Sequence, residues 1–510
     1  MKQPTGPCVL VVLDGWGARE EAHHNPIAEA KTPFFDHLWN AYPHALLDAS
    51  GVEVGLPPGQ MGNSEIGHMV IGSGMVIPTD LVRIQAALDR GEGDTNLVLR
   101  ALFAHVKARS SALHLVGLIG PGGVHAHQSH LIGILQAAKR AGVTNAFIHG
   151  FTDGRDTAPQ SAASFMADLE QSLKEIGIGR ISTLCGRFFA MDRDKNWERI
   201  EKAEAALFEH AGMVSGEAPM QTLQSLYAQQ QLDEHLTPLV FPGAQGETCS
   251  PIRSGDGVFF FNFRADRAVQ LSRRILERIK DMDVSFATMT MYDENLACPV
   301  AFPSFIPPVT LADEFAKRGF TQAHIAETEK YAHATYFLNG GRAEPHEREE
   351  FILIESRKVL THDQAPEMRA KEITDAALRQ VEVGTQFIFI NYANADMVGH
   401  TANHSAIIQA IETVDGELKR LAEAVEAKGG VLFITADHGN AEQSFDASSN
   451  QSHTAHTMNL VPAIVTKREV KLHSRGTLAD VAPTLLELLA LPVPQAMTGR
   501  SLLADSLTKE

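Results

Sequence analysis

The stretch SAIIQAIETVDGELKRLAEAVEAKGGVLFITADHG, residues 405–439, reads as one helix followed at once by one strand. Ile407, Ile408, Ile411, Val414, Leu418, Leu421 and Val425 recur at the spacing of a single helix face. Gly429 and Gly430 stop that helix, and VLFIT is a short apolar run suited to a buried strand. A strand entered directly from an amphipathic helix is one step of a parallel sheet. The alternation continues along the chain, where CVLVVLDG, LHLVGLIG, NAFIHG, GVFFFNF, FATMTMY and QFIFINY are further strand candidates separated by helical stretches. The fold class is therefore α/β.

The chain has 510 residues, 44% of them hydrophobic, which is enough for two substantial cores. A formal net charge of -18 argues against nucleic acid or an anionic membrane as partner. A small anionic substrate stays open, because a pocket is able to be basic on an acidic protein. No apolar run is long enough to cross a bilayer. The opening MKQPTGPCVLVVLDGWG runs straight from apolar residues into DGWG and reads as a first strand, not a signal peptide. Cys8, Cys185, Cys249 and Cys298 are far apart and form no CxxC, so disulfides and thiolate metal sites are not expected and a reducing cytoplasm fits. With 23 histidines present, any metal would be held by imidazole and carboxylate.

Two stretches have linker character, GSGMVIPTD at 72–80 and the proline-rich PVAFPSFIPP at 299–308. They bracket roughly 220 residues, a plausible domain by size. Three consecutive domains and one domain inserted into another are both consistent with those breaks.

Four segments carry Asp or His at or just past an apolar strand: VVLDGWG with Asp14, NYANADMVGHTANH with Asp396 and His400, TADHGNAE with Asp437 and His438, and SHTAHTMNLVP with His453 and His456. Ligand sites of open α/β sheets gather beyond the carboxyl ends of strands. Oxygen and imidazole donors from several such loops suit one or two divalent metal ions. Singly, a strand-end Asp such as Asp14 is more often a turn or cap residue, and it is the set of four that favours metal. Asp396 and His400, at i and i+4, share a face of a helical turn. HAHQSH, 125–130, matches no firm ligand spacing and reads as a polar loop with one or two residues touching substrate.

The middle of the chain places arginines at apparent strand ends and turns: FTDGRDT with Arg155 and Asp156, GRFFAMDRD with Arg187 and Arg193, FNFRADR with Arg264 and Arg267 on the opening turn of a helix. Guanidinium groups suit bidentate capture of carboxylate or phosphate. Nearby Asp residues fit structural ion pairs equally well. Ser64, in PPGQMGNSEIGHMVIGSG (57–74), has neither a capping-box partner nor a GxSxG elbow. Taken alone it is a loop serine or a helix N-cap, although a metal bound to its oxygen would activate it without a histidine base.

Together, DGWG, GNSEIGH, FTDGRDT, GRFFAMDRDKNWER, FFNFRADR, ETEKYAHATYFLNGG, NYANADMVGHT, TADHGNAE and HTMNLVP resemble one family, the cofactor-independent phosphoglycerate mutases of the alkaline phosphatase superfamily. The strings run from Asp14 to Pro462 in the family's order. Ala395 and Ala402 depart from the Pro and Gly usual there and remove no ligand.

The resemblance implies an alkaline-phosphatase-like three-layer domain, residues 1–76 and 309–510, with an inserted α/β phosphotransferase and substrate-binding domain at 77–308. It implies interconversion of 3-phosphoglycerate and 2-phosphoglycerate through phosphorylated Ser64, without 2,3-bisphosphoglycerate. Asp14, Ser64, Asp437 and His438 match the ligands of one metal ion, and Asp396, His400 and His456 those of a second, with Mn favoured. His453 is not a ligand in the family pattern. Lys330 matches a lysine near the phosphoryl group. His125, Arg155, Asp156, Arg187, Arg193, Arg264 and Arg267 match substrate contacts, Asp156 also transferring a proton. The implied partner is the small phosphoglycerate substrate, with no nucleic acid and no membrane, and the family suggests a monomer. Gly62 and Gly67 are expected to let backbone approach the phosphoryl group and cations. Closure hinged at about 72–80 and 299–308 is expected, to exclude water from the reaction.

Overall fold

The computed structural model describes residues 6–241 and 251–504, so Cys249 lies outside the described residues. Helix His404–Ala427 leads into strand Val431–Thr435, which pairs in parallel with Cys8–Leu13. Asn403 caps this helix by accepting from the Ala406 amide, and Gly429 at φ +70° turns the chain after it. Ile407, Ile411, Val414, Leu418, Leu421 and Val425 are buried, as their spacing requires, and Ile408 lies at the half-buried edge of that face.

The chain divides into two units, Met1–Thr79 with Phe305–Glu510, and Asp80–Ser304. The stretch 72–80 is not linker throughout, because Gly72 and Ser73 complete helix Ser64–Ser73.

The first unit is built on an eight-stranded sheet in the order Glu349–Ile354, Gln322–Glu327, Phe387–Tyr392, Cys8–Leu13, Val431–Thr435, Val461–Val465, His44–Asp48, Arg475–Thr477. The first five strands are mutually parallel, and Val461–Val465 runs antiparallel to both neighbours. Every residue of Cys8–Leu13 and Phe387–Tyr392 is buried, as expected of strands covered on both faces. Alternation along Phe387–Tyr392 separates those faces. The Tyr392 hydroxyl meets Thr374 of helix Ala370–Val383 at 2.7 Å. From the other face, Phe389 packs edge-on to His68 of helix Ser64–Ser73, and Asn391 donates to it. The result is helix, sheet, helix in three layers, the α/β architecture expected.

The second unit carries a seven-stranded sheet in the order Met213–Val214, Leu239–Val240, Arg180–Gly186, Ala146–Thr152, Leu113–Leu118, Gly257–Phe260, Ser285–Thr288. Its last five strands are parallel. Among the described residues, no helix is long and apolar enough to cross a membrane.

Leu418, 1% exposed, sits in the middle of the helix that covers the first sheet. Leu418→Ala should cost about 2–5 kcal/mol of stability in that unit. Denaturant unfolding followed by circular dichroism should show the corresponding fall in its transition midpoint.

Candidate metal centre

Four adjacent parallel strands of the first sheet end at one place. Gln322–Glu327 leads to Lys330, Phe387–Tyr392 to Asp396, Cys8–Leu13 to Asp14, and Val431–Thr435 to Asp437 and His438. This is the carboxyl edge, where the topology of open α/β sheets gathers ligands. Ser64 comes from outside the sheet, as the first residue of helix Ser64–Ser73. Its neighbour Asn63 is the N-cap, accepting from the Ile66 amide at 3.0 Å, so the Ser64 hydroxyl is free for other work.

The Ser64 hydroxyl lies 2.7 Å from Lys330 Nζ, 2.9 Å from His438 Nε2 and 3.3 Å from Asp14 Oδ1. Lys330 Nζ also contacts Asp14 Oδ1 at 2.7 Å and Asp396 Oδ2 at 2.6 Å. All of these side chains are buried. Burial, then the Asp437 charge, raises the Asp14 carboxyl above its ordinary range. Burial works the same way on Asp396, but Lys330, His400 and His456 outweigh it and hold that carboxyl well below. Asp437 is also held low against burial, by His438, His68 and Lys330. For Lys330 burial disfavours the ammonium, yet Asp14, Asp396 and Asp437 raise its pKa and keep it charged.

Beside this group, His400 Nδ1 donates to the Thr454 carbonyl at 2.7 Å and His456 Nδ1 to the Gly62 carbonyl at 2.8 Å. A carbonyl only accepts, so each neutral ring turns an Nε2 lone pair inward. The two Nε2 atoms are 3.2 Å apart, and each lies 3.2 Å from Asp396 Oδ1. Three lone pairs converging at that distance repel unless a proton or a cation lies among them. Asp437 Oδ2, meanwhile, is buried without a hydrogen-bond partner. Asp396, His400 and His456 form one donor group of metal-binding dimensions, Asp14, Asp396 and His438 a second, and Asp14, His68 and Asp437 a third. Oxygen and imidazole donors in such sets fit divalent ions.

Sequence reading missed His68 and Asn391. His68 donates from Nδ1 to the Ser64 carbonyl at 2.9 Å, with Asp437 Oδ2 3.2 Å from the same nitrogen. Asn391 bridges His68 Nε2 and Asp14 Oδ2, at 2.9 and 2.8 Å. The available signal was the i, i+4 spacing of Ser64 and His68 within GNSEIGH. The glycines of that string have a packing reason in the protein itself. A Cβ on Gly62 would lie 2.1 Å from the Ala49 carbonyl oxygen, and one on Gly67 2.8 Å from that of Asp437. Both are needed for close packing of this chain against itself.

In the second unit, the arginine-bearing segments follow the carboxyl ends of three strands, Arg180–Gly186, Ala146–Thr152 and Gly257–Phe260, and the segment with His125 follows Leu113–Leu118, which lies between the last two. Buried Arg187 bridges Asp153, at 2.6 Å, and Asp156. His125 lies 3.7 Å from Asp156 and 3.5 Å from Asp266. Arg193 and Arg264 both reach Asp266, at 3.0 and 3.2 Å, and Arg155 reaches Glu234 at 3.4 Å. Most of these pairings ignore the Asp nearest in sequence. Arg264 and Arg267 precede their helix, Val269–Ile279, instead of opening it, because the amides of Phe263 and Arg264 are drawn to the His125 carbonyl. Arg155, Arg187, Arg193 and Arg267 line one cavity of about 300 Å³. Burial and the like charges of Arg193, Arg187 and Arg155 push the Arg267 pKa down, as expected where cations crowd. Asp156 is held below its ordinary range by Arg187 despite burial, and stays ionised. His127 caps helix Gln128–Arg140 and His130 bonds the Leu81 carbonyl, so these two histidines are structural.

A model of the metalloenzyme superfamily matches residues 6–493. A 2,3-bisphosphoglycerate-independent phosphoglycerate mutase of Trichormus variabilis is 47% identical over 521 residues, covering 98% of this chain and 96% of its own. The chain belongs to that mutase family. A Shewanella halifaxensis member is 42% identical, with 98% of each chain covered. Among solved structures, a Leishmania mexicana phosphoglycerate mutase at low cobalt concentration is similar at 28% identity and a TM-score of 0.65, covering 98% of each chain. Family membership and the clustered donors together support divalent metal binding.

Lys330→Ala would strand Asp14 and Asp396 as buried charges without their cation. In chelator-treated protein it should cost about 3–5 kcal/mol. Saturating divalent metal should recover much of that loss, which scanning calorimetry with and without chelator would measure.

Proposed function

We propose that this chain, like the 2,3-bisphosphoglycerate-independent phosphoglycerate mutases it is similar to, interconverts 3-phosphoglycerate and 2-phosphoglycerate without 2,3-bisphosphoglycerate, and that it does so through phosphorylated Ser64. The observation that carries the reading is the Ser64 hydroxyl, held by Lys330, His438 and Asp14 at the N-terminus of a ten-residue helix. A helix N-terminus favours the negative charge that a phosphoryl group brings.

Two divalent ions, with Mn preferred, fit the donor chemistry: one held by Asp14, Ser64, Asp437 and His438, the other by Asp396, His400 and His456. When bound, they lower the pKa of the serine hydroxyl and offset charge on the transferring oxygens. Ser64 Oγ attacks phosphorus, forming the Ser64 ester as the substrate's carbon-bound oxygen leaves. Lys330 stabilises the charge that develops on the phosphoryl oxygens. Glycerate then offers its other hydroxyl to phosphorylated Ser64, and the ester returns to substrate. Asp156, kept ionised by Arg187, takes the proton from that second hydroxyl and passes it to the oxygen that left in the first transfer, so that the attacking and leaving oxygens exchange one proton.

The reading assigns the substrate carboxylate to Arg155, Arg187, Arg193, Arg264 and Arg267, with His125 and Asp156 on the hydroxyls. A carboxylate is common to both isomers, so a fixed guanidinium grip keeps glycerate bound between the two transfers. Residues 1–76 with 309–510 would act as the metal-binding domain and 77–308 as the substrate-binding domain. One chain carries both residue sets, so a monomer suffices. Cys8, Cys185 and Cys298 are free thiols, in keeping with a cytoplasmic enzyme.

The test is conversion of 3-phosphoglycerate coupled to enolase, with Mn present and 2,3-bisphosphoglycerate absent. Wild type should turn over and Ser64→Ala should lose at least about a thousandfold in kcat, with no free phosphate released by either. Phosphate release without enolase signal would instead make the protein a phosphatase.

Acid should act through the imidazoles. Asp396 raises the His400 pKa, and for His456 it outweighs burial in the same direction. In metal-free protein these charged pairs add stability that is present at low pH and lost as pH rises through the raised values. Metal needs the neutral rings, so metal content and activity should run the opposite way, falling together below about pH 6.5. Full activity at pH 5.5 after complete metal loss would contradict this.

A further inference from the structure

Glu442 closes the motif TADHGNAE, yet no step above uses it. Its carboxylate is fully buried, and its hydrogen-bond partners are four neutral donors from three loops. Oε2 accepts the Gly17 amide at 3.1 Å and the Asn440 amide at 2.8 Å. Oε1 accepts the Thr457 hydroxyl and, at 2.9 Å, the Asn459 side-chain amide. Each loop carries residues of the metal centre: Asp14 in the first, Asp437 and His438 in the second, His456 in the third.

Two glycines in those loops are required by the same carboxylate. A Cβ on Gly17 would lie 2.3 Å from the Glu442 carboxyl carbon, and one on Gly439 would lie 2.4 Å from Oε1. Backbone bonds complete the assembly, Ala441 amide to Gly15 carbonyl at 3.0 Å and Thr457 amide to Gly439 carbonyl at 3.0 Å. A buried carboxylate is costly unless every lone pair is met, and here the donors that meet it come from segments more than 400 residues apart in sequence for Gly17.

We infer that Glu442 is a positioning residue for the metal centre, setting the register of the DGWG, TADHGNAE and HTMN loops so that Asp14, Asp437, His438 and His456 converge. This rests on the reading of those four residues as metal ligands. Asn440 extends the same device to Asp396, donating to Oδ1 at 2.9 Å while its own amide is held by Glu442. Outer partners of this kind govern metal affinity almost as strongly as ligands do. Gln keeps the size of Glu442 but presents an NH₂ to two donors, so one pair of loop contacts is lost.

The experiment compares full-length wild type, Glu442→Gln, Asp437→Asn and Leu418→Ala. Each is stripped with chelator and dialysed against graded Mn, with bound metal counted by mass spectrometry and metal-free thermal midpoints recorded. Glu442→Gln should lose roughly 10- to 100-fold in Mn affinity. Leu418→Ala should lose stability while keeping its Mn affinity. If Glu442→Gln binds Mn as wild type while Asp437→Asn does not, this inference is wrong and the ligand reading survives. If Asp437→Asn also binds normally, both fall. An equal affinity loss in Leu418→Ala would reduce Glu442 to general stability and overturn the inference. Should Glu442→Gln fail to fold, Asn459→Ala removes one donor and leaves the carboxylate; unchanged Mn affinity there would overturn it as well.

Discussion

One buried ammonium group ties the centre of the first unit together. Lys330 Nζ touches Asp14, Asp396 and the Ser64 hydroxyl, each within 2.7 Å. Carboxylates so close would not stay ionised in a dry interior without a cation among them. The ammonium supplies part of that charge from the chain itself, and the inward Nε2 atoms of His400 and His456 mark where further positive charge belongs. The requirement reaches outward, because Lys330, Asp14, Asp396 and Asp437 must come from strands that lie side by side.

The sheet order meets that requirement. Gln322–Glu327, Phe387–Tyr392, Cys8–Leu13 and Val431–Thr435 are consecutive in space and far apart in sequence. Asp80–Ser304 separates the helix of Ser64 from the strand of Lys330, but it folds as its own unit. The entropy of closing a loop rises only logarithmically with length, and a folded insert with its own core adds little to it. A large second unit is therefore compatible with tight geometry on either side of its attachment points.

Legibility from sequence followed uninterrupted apolar runs more than burial itself. The candidate strands all carried apolar runs, and each corresponds to a strand in the parallel part of one of the two large sheets. The missed strands carried polar or charged residues or a proline, as in the fully buried Gln322–Glu327, whose sequence is QAHIAE. Glu349–Ile354, at a sheet edge, is half-buried, with Glu349 and Glu350 at its start. Val461–Val465 contains a proline, which argues against an interior strand. Pro462 is tolerated because it pairs with Leu46 beyond the end of the ladder to Val431–Thr435. The types of the metal-centre residues were readable, since Asp and His at strand ends are few and chemically specific. Their partners were not: the 374-residue separation of Ser64 from His438 leaves no local trace. The arginines show the same limit, as Arg193 sits between Asp192 and Asp194 in sequence and pairs with Asp266 in space.

The strings that carry the family resemblance hold two kinds of residue, and only one kind was visible as chemistry. Asp14, Ser64, Asp437 and His438 bring oxygen and imidazole donors to the carboxyl edge of the first sheet. Gly17, Gly67, Asn391, Gly439 and Glu442 are not among those donors. They fix where the donors stand, by accepting or donating a hydrogen bond or by leaving no side chain where another group must pass. A donor misplaced by an ångström loses most of its value to a cation or to a reacting phosphorus, so the second kind is as constrained as the first. That is why DGWG and TADHGNAE read as units of several residues instead of single ligands: each string is the shortest piece of chain that both supplies a donor and holds it still.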